Sequence, residues 1–474
     1  MVVYAKSYPI DNPETLEEHT QEVLVGLKLL ENIYYSEIIE LIPGKYREFF
    51  WNSLELVCKS HDLGKLDINF QNKIRKNLNK IREEEGLEKL PLLNISNNIK
   101  DNIPHNILSC AFIYNLIRNY PDDIKYTIYQ TIAFHHRRGS DPNKPPLSNW
   151  DGVDNCVEND LKPRFHELDN MLPLFSNELN IPKSNYRRYL FKELRGESFI
   201  FYIFLKGLLH RIDHSASSHT LVELESIMNT NKLITNHLLK KCKSIESIWQ
   251  KDIAQKHKEQ NVVMQAGTGT GKTEFALYWL NGKKGFYTLP IRTSVNVMYE
   301  RLKDTFDTHN IGLLHGENYF YALENILDKE NDDYSDKESI DLSIQSMEIA
   351  RQLSMPITIS TADQLFTAVF KYKGYEKIYA TLAYSGLIID EIQSYDPDMV
   401  AVILKGLKDI SYFGGKFCLI TATLPKLYLD FIIKEIPNTT VLPSYYRDLT
   451  RHRIKILNYS ILDPILTVNN MGLV

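Results

Sequence analysis

The sequence predicts a multidomain protein in which an all-α region is followed by an α/β domain with a mainly parallel sheet and a phosphate-binding loop. In the first half of the chain, apolar residues recur at helical spacing and strand-like alternation is rare. From about residue 250, short β-rich runs alternate with helix-like stretches, which is typical of a doubly wound parallel sheet. We expect the helical domain to span residues 1–235, with a connector to about residue 250, and the α/β domain to span residues 236–474.

The composition is that of a globular protein and excludes several other classes. The 474 residues are 43% hydrophobic and 24% charged, which excludes disorder throughout and a collagen-like chain. With 55 Lys and Arg against 60 Asp and Glu, the net charge is −5, so a uniformly basic coat for nucleic acid is excluded. The cysteines are far apart and form no Cys-x-x-Cys, which suits a reducing cytoplasm. No signal peptide and no apolar run long enough to span a membrane is found, so we predict a cytoplasmic protein without a membrane partner.

The helices of the first half are predicted from apolar periodicity. One helix is expected after Asn12-Pro13, since apolar residues recur there at Leu16, Val23, Leu24, Leu27 and Leu30. A second apolar run leads into His61-Asp62, and a third spans Phe199–Leu209. Two polar stretches, Asn72–Asp101 and Asp328–Glu338, are predicted to be surface loops or surface helices.

The strands of the second half are predicted at short apolar runs rich in β-branched residues. They are Asn261–Gln265, Gly285–Leu289, Pro356–Ser360, Gly386–Ile389 and Phe417–Ile420.

An ordered set of histidines and aspartates lies in the helical half. The set comprises His19, His61, Asp62, His105, His135, His136 and Asp213. Imidazole and carboxylate ligands together suit divalent transition metals such as iron, cobalt, nickel, manganese or zinc. A metal held in this way supplies hydroxide near neutral pH, and two metals can clamp the attacking and leaving oxygens at a phosphorus atom. We therefore predict a metal site with one or two ions of manganese, cobalt, nickel or iron.

The order of these residues resembles the HD phosphohydrolase superfamily, and in particular the HD nuclease domain of the CRISPR-associated helicase-nuclease of type I systems. The resemblance implies that all seven residues are metal ligands, with Asp62 as a bridging, catalytic ligand. It also implies that Lys65 in His61-Asp62-Leu63-Gly64-Lys65 steadies the scissile phosphate, and that the site cuts single-stranded DNA. His210 and His214 have no role in the motif, and we interpret them as flanking or structural.

A phosphate-binding loop follows the first predicted strand. Residues 266–273 read Ala-Gly-Thr-Gly-Thr-Gly-Lys-Thr, a Walker A loop with alanine in place of its first glycine. Backbone N–H groups and a helix N-terminus bind the phosphates, Lys272 reaches the β- and γ-phosphates, and the Thr273 hydroxyl binds Mg²⁺. The loop residues predicted to bind ATP are Gly267, Thr268, Gly269, Thr270, Gly271, Lys272 and Thr273.

The predicted strand Gly386–Ile389 ends in Asp390-Glu391, which is a Walker B arrangement. We expect Asp390 to hold Mg²⁺ and Glu391 to act as the catalytic residue that orients or deprotonates the attacking water; both count as ATP-binding residues. Three other predicted strands end in hydroxyl-bearing segments, at the sheet edge where ligands of α/β proteins bind. Taken singly, each segment is also compatible with an ordinary strand-to-helix turn capped by Ser or Thr.

Together these segments resemble the first RecA-like lobe of a superfamily 2 DExD/H helicase, with Asp-Glu-Ile-Gln as its second motif. The resemblance implies that the nucleic-acid backbone is contacted by Arg292, Thr293, Thr361 and Asp363. It implies that Thr421 and Thr423 couple the ATP state to movement, and Gln250 is a candidate contact to adenine. No Gln-x-x-Gly-Arg-x-x-Arg pattern of a second lobe occurs, so we expect the chain by itself to bind ATP weakly and hydrolyse it slowly. Truncation, an incomplete gene product and a second lobe on a separate chain are the open explanations.

Nuclease and motor motifs in one chain predict a CRISPR type I effector that degrades invading DNA. In this hypothesis the motor lobe pulls a single strand and feeds it to the HD metal site. The resemblance implies recruitment by a crRNA-guided surveillance complex (Cascade). Two alternatives remain open: an HD nucleotide phosphohydrolase with a nucleotide-regulated P-loop domain, and a DNA-binding scaffold without catalysis.

Overall fold

The computed structural model describes residues 2–7, 12–94, 102–136, 149–168, 187–241, 248–306, 310–316 and 345–445. Within these ranges the first half of the chain is helical and the second half is an α/β domain, as the sequence predicts. None of the described helices is both long enough and apolar enough to cross a bilayer.

The helices of the first half form an all-α domain. They are α1 (Leu16–Leu41), α2 (Arg47–Ser60), α3 (Ile68–Glu84), α4 (His105–Ser109), α5 (Asp122–Ala133), α6 (Trp150–Cys156), α7 (Lys162–Arg164), α8 (Arg187–Leu190) and α9 (Glu197–Ser217). A capping box determines where α1 begins: the Glu18 N–H donates to the Thr15 hydroxyl (3.1 Å), and the Thr15 N–H donates to the Glu18 carboxylate (2.8 Å).

The prediction for Asn72–Asp101 is only partly right. Helix α3 covers the first part of this stretch, and its apolar face is buried at Ile74 and Leu78. Asn72 is also buried, and its amide exchanges hydrogen bonds with the backbone of Leu93 (2.9 and 2.7 Å). The first part of this polar stretch is therefore an amphipathic helix with one buried face, which its composition did not indicate. Residues 95–101 and the stretch Asp328–Glu338 lie outside the described residues.

The connector packs on the α/β domain. Helix α10 (Thr230–Lys241) buries Ile234 in the core of that domain, and the Thr235 hydroxyl lies 2.8 Å from the hydroxyl of Tyr278. Helix α11 (Trp249–Lys256) follows it. The connector therefore packs with the α/β domain, and the predicted boundary near residue 236 stays a prediction.

The α/β domain contains a seven-stranded sheet in the order β3-β4-β2-β5-β6-β1-β7. Its strands are β1 (Asn261–Gln265), β2 (Gly285–Leu289), β3 (Ile311–Leu314), β4 (Ile357–Thr361), β5 (Gly386–Asp390), β6 (Lys416–Thr421) and β7 (Thr439–Val441). All neighbouring strands pair in parallel, which confirms the predicted sheet. The five predicted strands are present to within about one residue at either end, whereas the two edge strands β3 and β7 were not predicted.

Helices cover the two faces of this sheet. They are α12 (Lys272–Leu280), α13 (Arg292–Phe306), α14 (Ala362–Phe366), α15 (Tyr375–Ala383), α16 (Pro397–Tyr412) and α17 (Lys426–Glu435). Successive strand residues alternate between two hydrophobic clusters: Val263 belongs to one, and Val262 and Met264 to the other. The first cluster continues into the helical domain, so the two domains share a core.

Helix α9 of the helical domain packs tightly against α15 of the α/β domain. A Cβ atom built at Gly207 would lie 2.3 Å from the backbone oxygen of Glu376, so this position tolerates no side chain. Two turns further along, α9 also presents Asp213 to the helical domain. The helix with a predicted metal ligand is therefore part of the contact between the domains.

Candidate metal centre and nucleotide site

The fold brings the seven predicted metal ligands together. They come from α1, the end of α2, the start of α4, the turn after α5, and α9. Their ligand atoms form two groups, and within each group all lie within 4.8 Å of one another. The first group is Asp62, His105, His135 and His136, and the second is His19, His61, Asp62 and Asp213.

Asp62 belongs to both groups, and its two oxygens face different partners. Oδ1 lies 3.3 Å from His105 Nε2 and 3.6 Å from His135 Nε2. Oδ2 lies 3.4 Å from His61 Nε2 and 3.5 Å from His19 Nε2. Asp62 therefore lies between the two groups of potential ligands, and Lys65 Nζ is also 2.6 Å from its Oδ2.

Two of the imidazoles are oriented by backbone carbonyls. The Nδ1–H of His61 donates to the carbonyl of Cys58 (3.0 Å), and that of His135 donates to Ile132 (2.6 Å). Their Nε2 atoms then present lone pairs to the centre. Both Nε2 atoms and Asp62 Oδ1 are buried without a hydrogen-bond partner. Because such atoms are costly to bury unpaired, this donor set fits a divalent cation.

A carboxylate that the sequence reasoning missed stands behind His19. Glu14 is buried, and its Oε1 accepts from His19 Nδ1 at 3.0 Å, while His19 Nε2 lies 3.1 Å from Asp213 Oδ1. The other oxygen of Glu14 pairs with Lys6 at 2.6 Å. A carboxylate behind a ligating histidine orients the ring and raises its basicity. In the sequence, Glu14 looks like any acidic residue before a helix.

Charged neighbours set the protonation of the centre. Burial alone would raise the pKa of Asp62, but Lys65, 2.6 Å away, and the surrounding imidazoles hold it well below its ordinary value. Burial would lower the pKa of His19, yet its carboxylate partners raise it to about 9. Burial lowers the pKa of His135 to about 4. The centre therefore keeps its carboxylate ionised, and a metal would displace the proton of His19.

The motif glycine permits a close backbone contact at the centre. A Cβ atom built at Gly64 would lie 2.0 Å from the backbone oxygen of His105. The Gly64 N–H also donates to the hydroxyl of Ser109 (2.8 Å), in the same helix α4. The turn that follows Asp62 therefore sets where His105 stands.

The two flanking histidines have other partners. His210 is buried and its Nε2 donates to the backbone carbonyl of His135, which places it behind a predicted ligand. His214 is exposed, and its ring stacks on that of His210 with 5.8 Å between centroids. These contacts agree with the interpretation of His210 and His214 as flanking or structural residues.

A further group of potential ligands, Asp67, Cys156 and Asp160, was not predicted. Its carboxylate oxygens already have protein partners: Asp160 accepts from the Ile68 N–H (2.7 Å) and from Arg164 (3.0 Å). The Cys156 thiol lies 3.1 Å from Asp67 Oδ1. We interpret this group as the anchor of the start of α3.

The phosphate-binding loop lies between β1 and α12, as predicted. Lys272 Nζ lies 3.2 Å from the carbonyl of Ala266 and 3.0 Å from Glu391 Oε1. Gly271 has a φ of 93° and precedes α12 directly. The amide of Gln250 donates to the carbonyl of Thr270 (2.9 Å), so this side chain braces the loop. Its predicted contact with adenine stays a prediction.

The Walker B carboxylates lie at the end of β5 and differ in environment. Asp390 Oδ2 accepts from the Tyr287 hydroxyl (2.6 Å), and its Oδ1 is buried without a hydrogen-bond partner. Burial raises the pKa of Asp390 to about 6. Glu391 has a φ of 50°, which is an uncommon backbone conformation for a residue other than glycine, and its carboxylate contacts Lys272.

One of the two predicted coupling residues, Thr421, contacts the Walker B segment, and Thr423 contacts Thr421. Glu391 Oε2 accepts from the Ala422 N–H (2.9 Å) and the Thr421 hydroxyl (3.2 Å). The same hydroxyl lies 2.7 Å from the carbonyl of Thr423. A change at Glu391 therefore reaches the segment after β6 directly.

Three of the four predicted nucleic-acid contacts are exposed. Arg292 and Thr293 begin α13 after β2, and Asp363 lies in the first turn of α14 after the neighbouring strand β4. Thr361, in contrast, is only 7% exposed, and its predicted contact with nucleic acid stays a prediction.

Comparison with known families agrees with this two-part geometry. Residues 21–187 match the family described as Cas3, HD domain, and residues 247–431 match DEAD/DEAH box helicase. The CRISPR-associated nuclease/helicase Cas3 of Methanothermobacter thermautotrophicus is 27% identical over 497 residues, which cover 94% of this chain and 56% of that protein. The CRISPR-associated endonuclease/helicase Cas3 of Escherichia coli is 27% identical over 177 residues, covering 34% of this chain and 20% of that protein. The chain thus spans about half the length of the first of these relatives.

Solved structures show the same fold. The crystal structure of T. fusca Cas3-AMPPNP superposes with a TM-score of 0.61 at 15% identity, over 92% of this chain and 52% of that one. A chain of a CRISPR RNA-guided surveillance complex, pre-nicking, gives a TM-score of 0.55 at 17% identity, over 92% of this chain and 49% of that one.

Proposed function

We propose that this chain, whose two halves match the Cas3 HD domain and the DEAD/DEAH box helicase families, is a metal-dependent nuclease for single-stranded DNA joined to an ATP-driven lobe. The observation that supports this most is the position of Asp62, whose two oxygens face two separate groups of ligands. A paired metal arrangement of this kind suits hydrolysis of a phosphodiester.

The protein groups of the centre bind and orient the DNA phosphate. Bound divalent metal supplies an activated water and offsets the charge on the phosphate. His105 is partly exposed and His136 is exposed, so a strand enters on their side. Lys65 stands against Asp62 and donates from there to a phosphate oxygen. The buried ligands His19, His61, His135 and Asp213 hold the opposite side rigid.

The nucleotide lobe would use the groups gathered at the ends of β1, β5 and β6. Lys272, which contacts Glu391 in this structure, would donate to the phosphates of ATP bound with Mg²⁺ at the loop. Asp390 would hold Mg²⁺, and Glu391, freed from its contact with Lys272, would orient the attacking water. Through Thr421 and Thr423 this change reaches the segment after β6. Contacts at Arg292, Thr293 and Asp363 track a DNA backbone without reading its sequence.

The proposed function also implies partners for the protein. The curated relatives are named CRISPR-associated nuclease/helicases, and one similar fold belongs to a CRISPR RNA-guided surveillance complex. We infer that a crRNA-guided complex (Cascade) recruits the protein to DNA in the cytoplasm, and that a second helicase lobe completes its ATP site. The metal is expected to be manganese, cobalt, nickel or iron.

Substrate profiling tests this function. The metal-free chain is loaded with Mn²⁺ or Co²⁺ and offered circular single-stranded DNA, and separately mononucleotides and cyclic nucleotides. We expect cleavage of the circular DNA, which has no ends and therefore reports endonuclease activity. Lys272→Ala is the matched control, since it changes the nucleotide lobe and leaves the metal centre intact. Hydrolysis of nucleotides without any cutting of DNA would instead identify a nucleotide phosphohydrolase.

A further inference from the structure

We propose that Glu223 is a positioning residue for the metal centre, and that it acts on Asp213 through Arg211 and helix α9. This inference rests on the proposed nuclease function. Glu223 touches none of the predicted ligands, and it lies in the segment between α9 and α10. Its effect on the centre is therefore indirect, through the orientation of a helix.

Arg211 is a fully buried anchor of α9. Its exposed fraction is 0%, and its guanidinium donates to Glu223 Oε1 and toward the Tyr384 hydroxyl. It also donates to the backbone carbonyls of Val222 (2.6 Å) and Leu353 (3.2 Å). A planar guanidinium that donates to this many acceptors can adopt only one orientation. Arg211 therefore fixes both the position of α9 and its rotation about its own axis.

Glu223 joins this anchor to the α/β domain. It is 1% exposed, and its Oε1 accepts from the Tyr384 hydroxyl at 2.6 Å, while its Oε2 accepts from Lys284 at 2.8 Å. Lys284 also donates to the carbonyl of Met355 (2.8 Å). Because Lys284 directly precedes β2 and Tyr384 lies just before β5, the carboxylate ties α9 to two central strands of the sheet.

The negative charge of Glu223 balances the buried cations of the cluster that it forms with Arg211, Lys284 and Tyr384. Its carboxylate pairs with two buried cations, Arg211 and Lys284. Without its charge the two cations would repel each other in a site with almost no water. Because Arg211 is part of α9, a displacement of its guanidinium would be transmitted to that helix.

The position of Arg211 on α9 explains why the metal centre would respond. Arg211 and Asp213 are two residues apart, about 200° around the helix, so they project to opposite sides. A rotation of α9 by about 10° would move a ligand atom about 6 Å from its axis by about 1 Å, beyond the tolerance of a metal site. Asp213 Oδ1 lies 3.1 Å from His19 and 3.6 Å from His61, and both contacts would change.

A second buried ion pair on the same helix provides a matched control. Lys206 and Glu376 are 2.8 Å apart and both are 0% exposed, so removing this charge also leaves a buried cation without its carboxylate partner. Lys206 lies about two turns before Asp213, and its partner sits on α15. Glu376→Gln should therefore destabilise the contact between the domains without turning the end of α9 that holds Asp213.

The experiment measures Mn²⁺ affinity by calorimetry on the metal-free full chain, together with thermal unfolding. We expect Glu223→Gln to raise the Kd for Mn²⁺ about tenfold, the lower range for residues that support metal ligands. Glu376→Gln should lower the unfolding temperature to a similar extent and leave the Kd within about twofold. Tyr384→Phe removes the hydroxyl that donates to Glu223 and accepts from Arg211, leaves every charge of the cluster in place, and should raise the Kd by a smaller amount.

The outcomes separate this inference from the proposed function. Wild-type protein that binds no Mn²⁺ would refute the nuclease centre itself. If wild type binds Mn²⁺ and Glu223→Gln and Tyr384→Phe bind it equally well, the positioning role is wrong. It is also wrong if Glu376→Gln weakens binding as much as Glu223→Gln, because loss of stability would then explain both.

Discussion

Replacing Gly64 with alanine tests whether the motif turn sets the position of His105. The new Cβ atom would lie 2.0 Å from the His105 oxygen and 2.7 Å from the Ser109 nitrogen, whereas real Cβ atoms essentially never approach within 3.0 Å. The backbone of α4 must therefore retreat by about 1 Å, and a displacement of about that size can cost about 100-fold in rate. Overpacking of this kind also lowers the free energy of unfolding by about 1–3 kcal/mol.

The assay for Gly64→Ala compares cleavage of single-stranded DNA with saturating Mn²⁺ in wild type and variant, with thermal unfolding measured alongside. Gly44→Ala is the control, because Gly44 lies in the same domain and a Cβ atom there meets nothing within 4 Å. We expect cleavage by Gly64→Ala to fall about 100-fold and cleavage by Gly44→Ala to stay unchanged. A folded Gly64→Ala protein that cuts at the wild-type rate would refute this account of the turn.

Two further predictions concern the groups around each site. Glu14→Gln removes the charge that supports His19 and should weaken Mn²⁺ binding by about 10–100-fold in calorimetry; equal affinity would show that His19 needs no such support. Burial raises the pKa of Asp390 to about 6, and Mg²⁺ needs the ionised carboxylate, so affinity for Mg²⁺–nucleotide should fall as the pH is lowered through about 6. A fluorescent nucleotide titrated at several pH values checks this, and a flat profile would count against Asp390 as the Mg²⁺ group.

The strands that the sequence predicts best are the central ones of the sheet. Strands β1, β2 and β5 are buried on both faces, so they read as continuous apolar runs. The edge strands β3 and β7 have four and three residues, which is too short to give a pattern. Helix α3 was only partly predicted because polar residues such as Asn72 occupy its buried face, where apolar residues would be expected.

The residues that the fold gathers at the proposed metal centre were predictable because they lie in motifs with a characteristic order. His61-Asp62 and His135-His136 are recognisable doublets, and the structure brings them to one centre. Glu14 and Glu223 were not predictable, because their roles depend on contacts that no local pattern encodes. Glu223, for example, meets Lys284, which is 61 residues away in the chain. Residues that support a site are therefore found from packing, whereas residues that form it can be found from motifs.

Asp62 provides the most direct measurement of the central claim, since both groups of ligands share it. Wild-type protein and Asp62→Ala are stripped of metal, reloaded with Mn²⁺, and compared for bound metal per chain and for cutting of single-stranded DNA. The account predicts one or two ions on the wild type, and loss of metal and of cutting together in the variant. A folded Asp62→Ala protein that retains its full metal content and its nuclease activity would contradict the account.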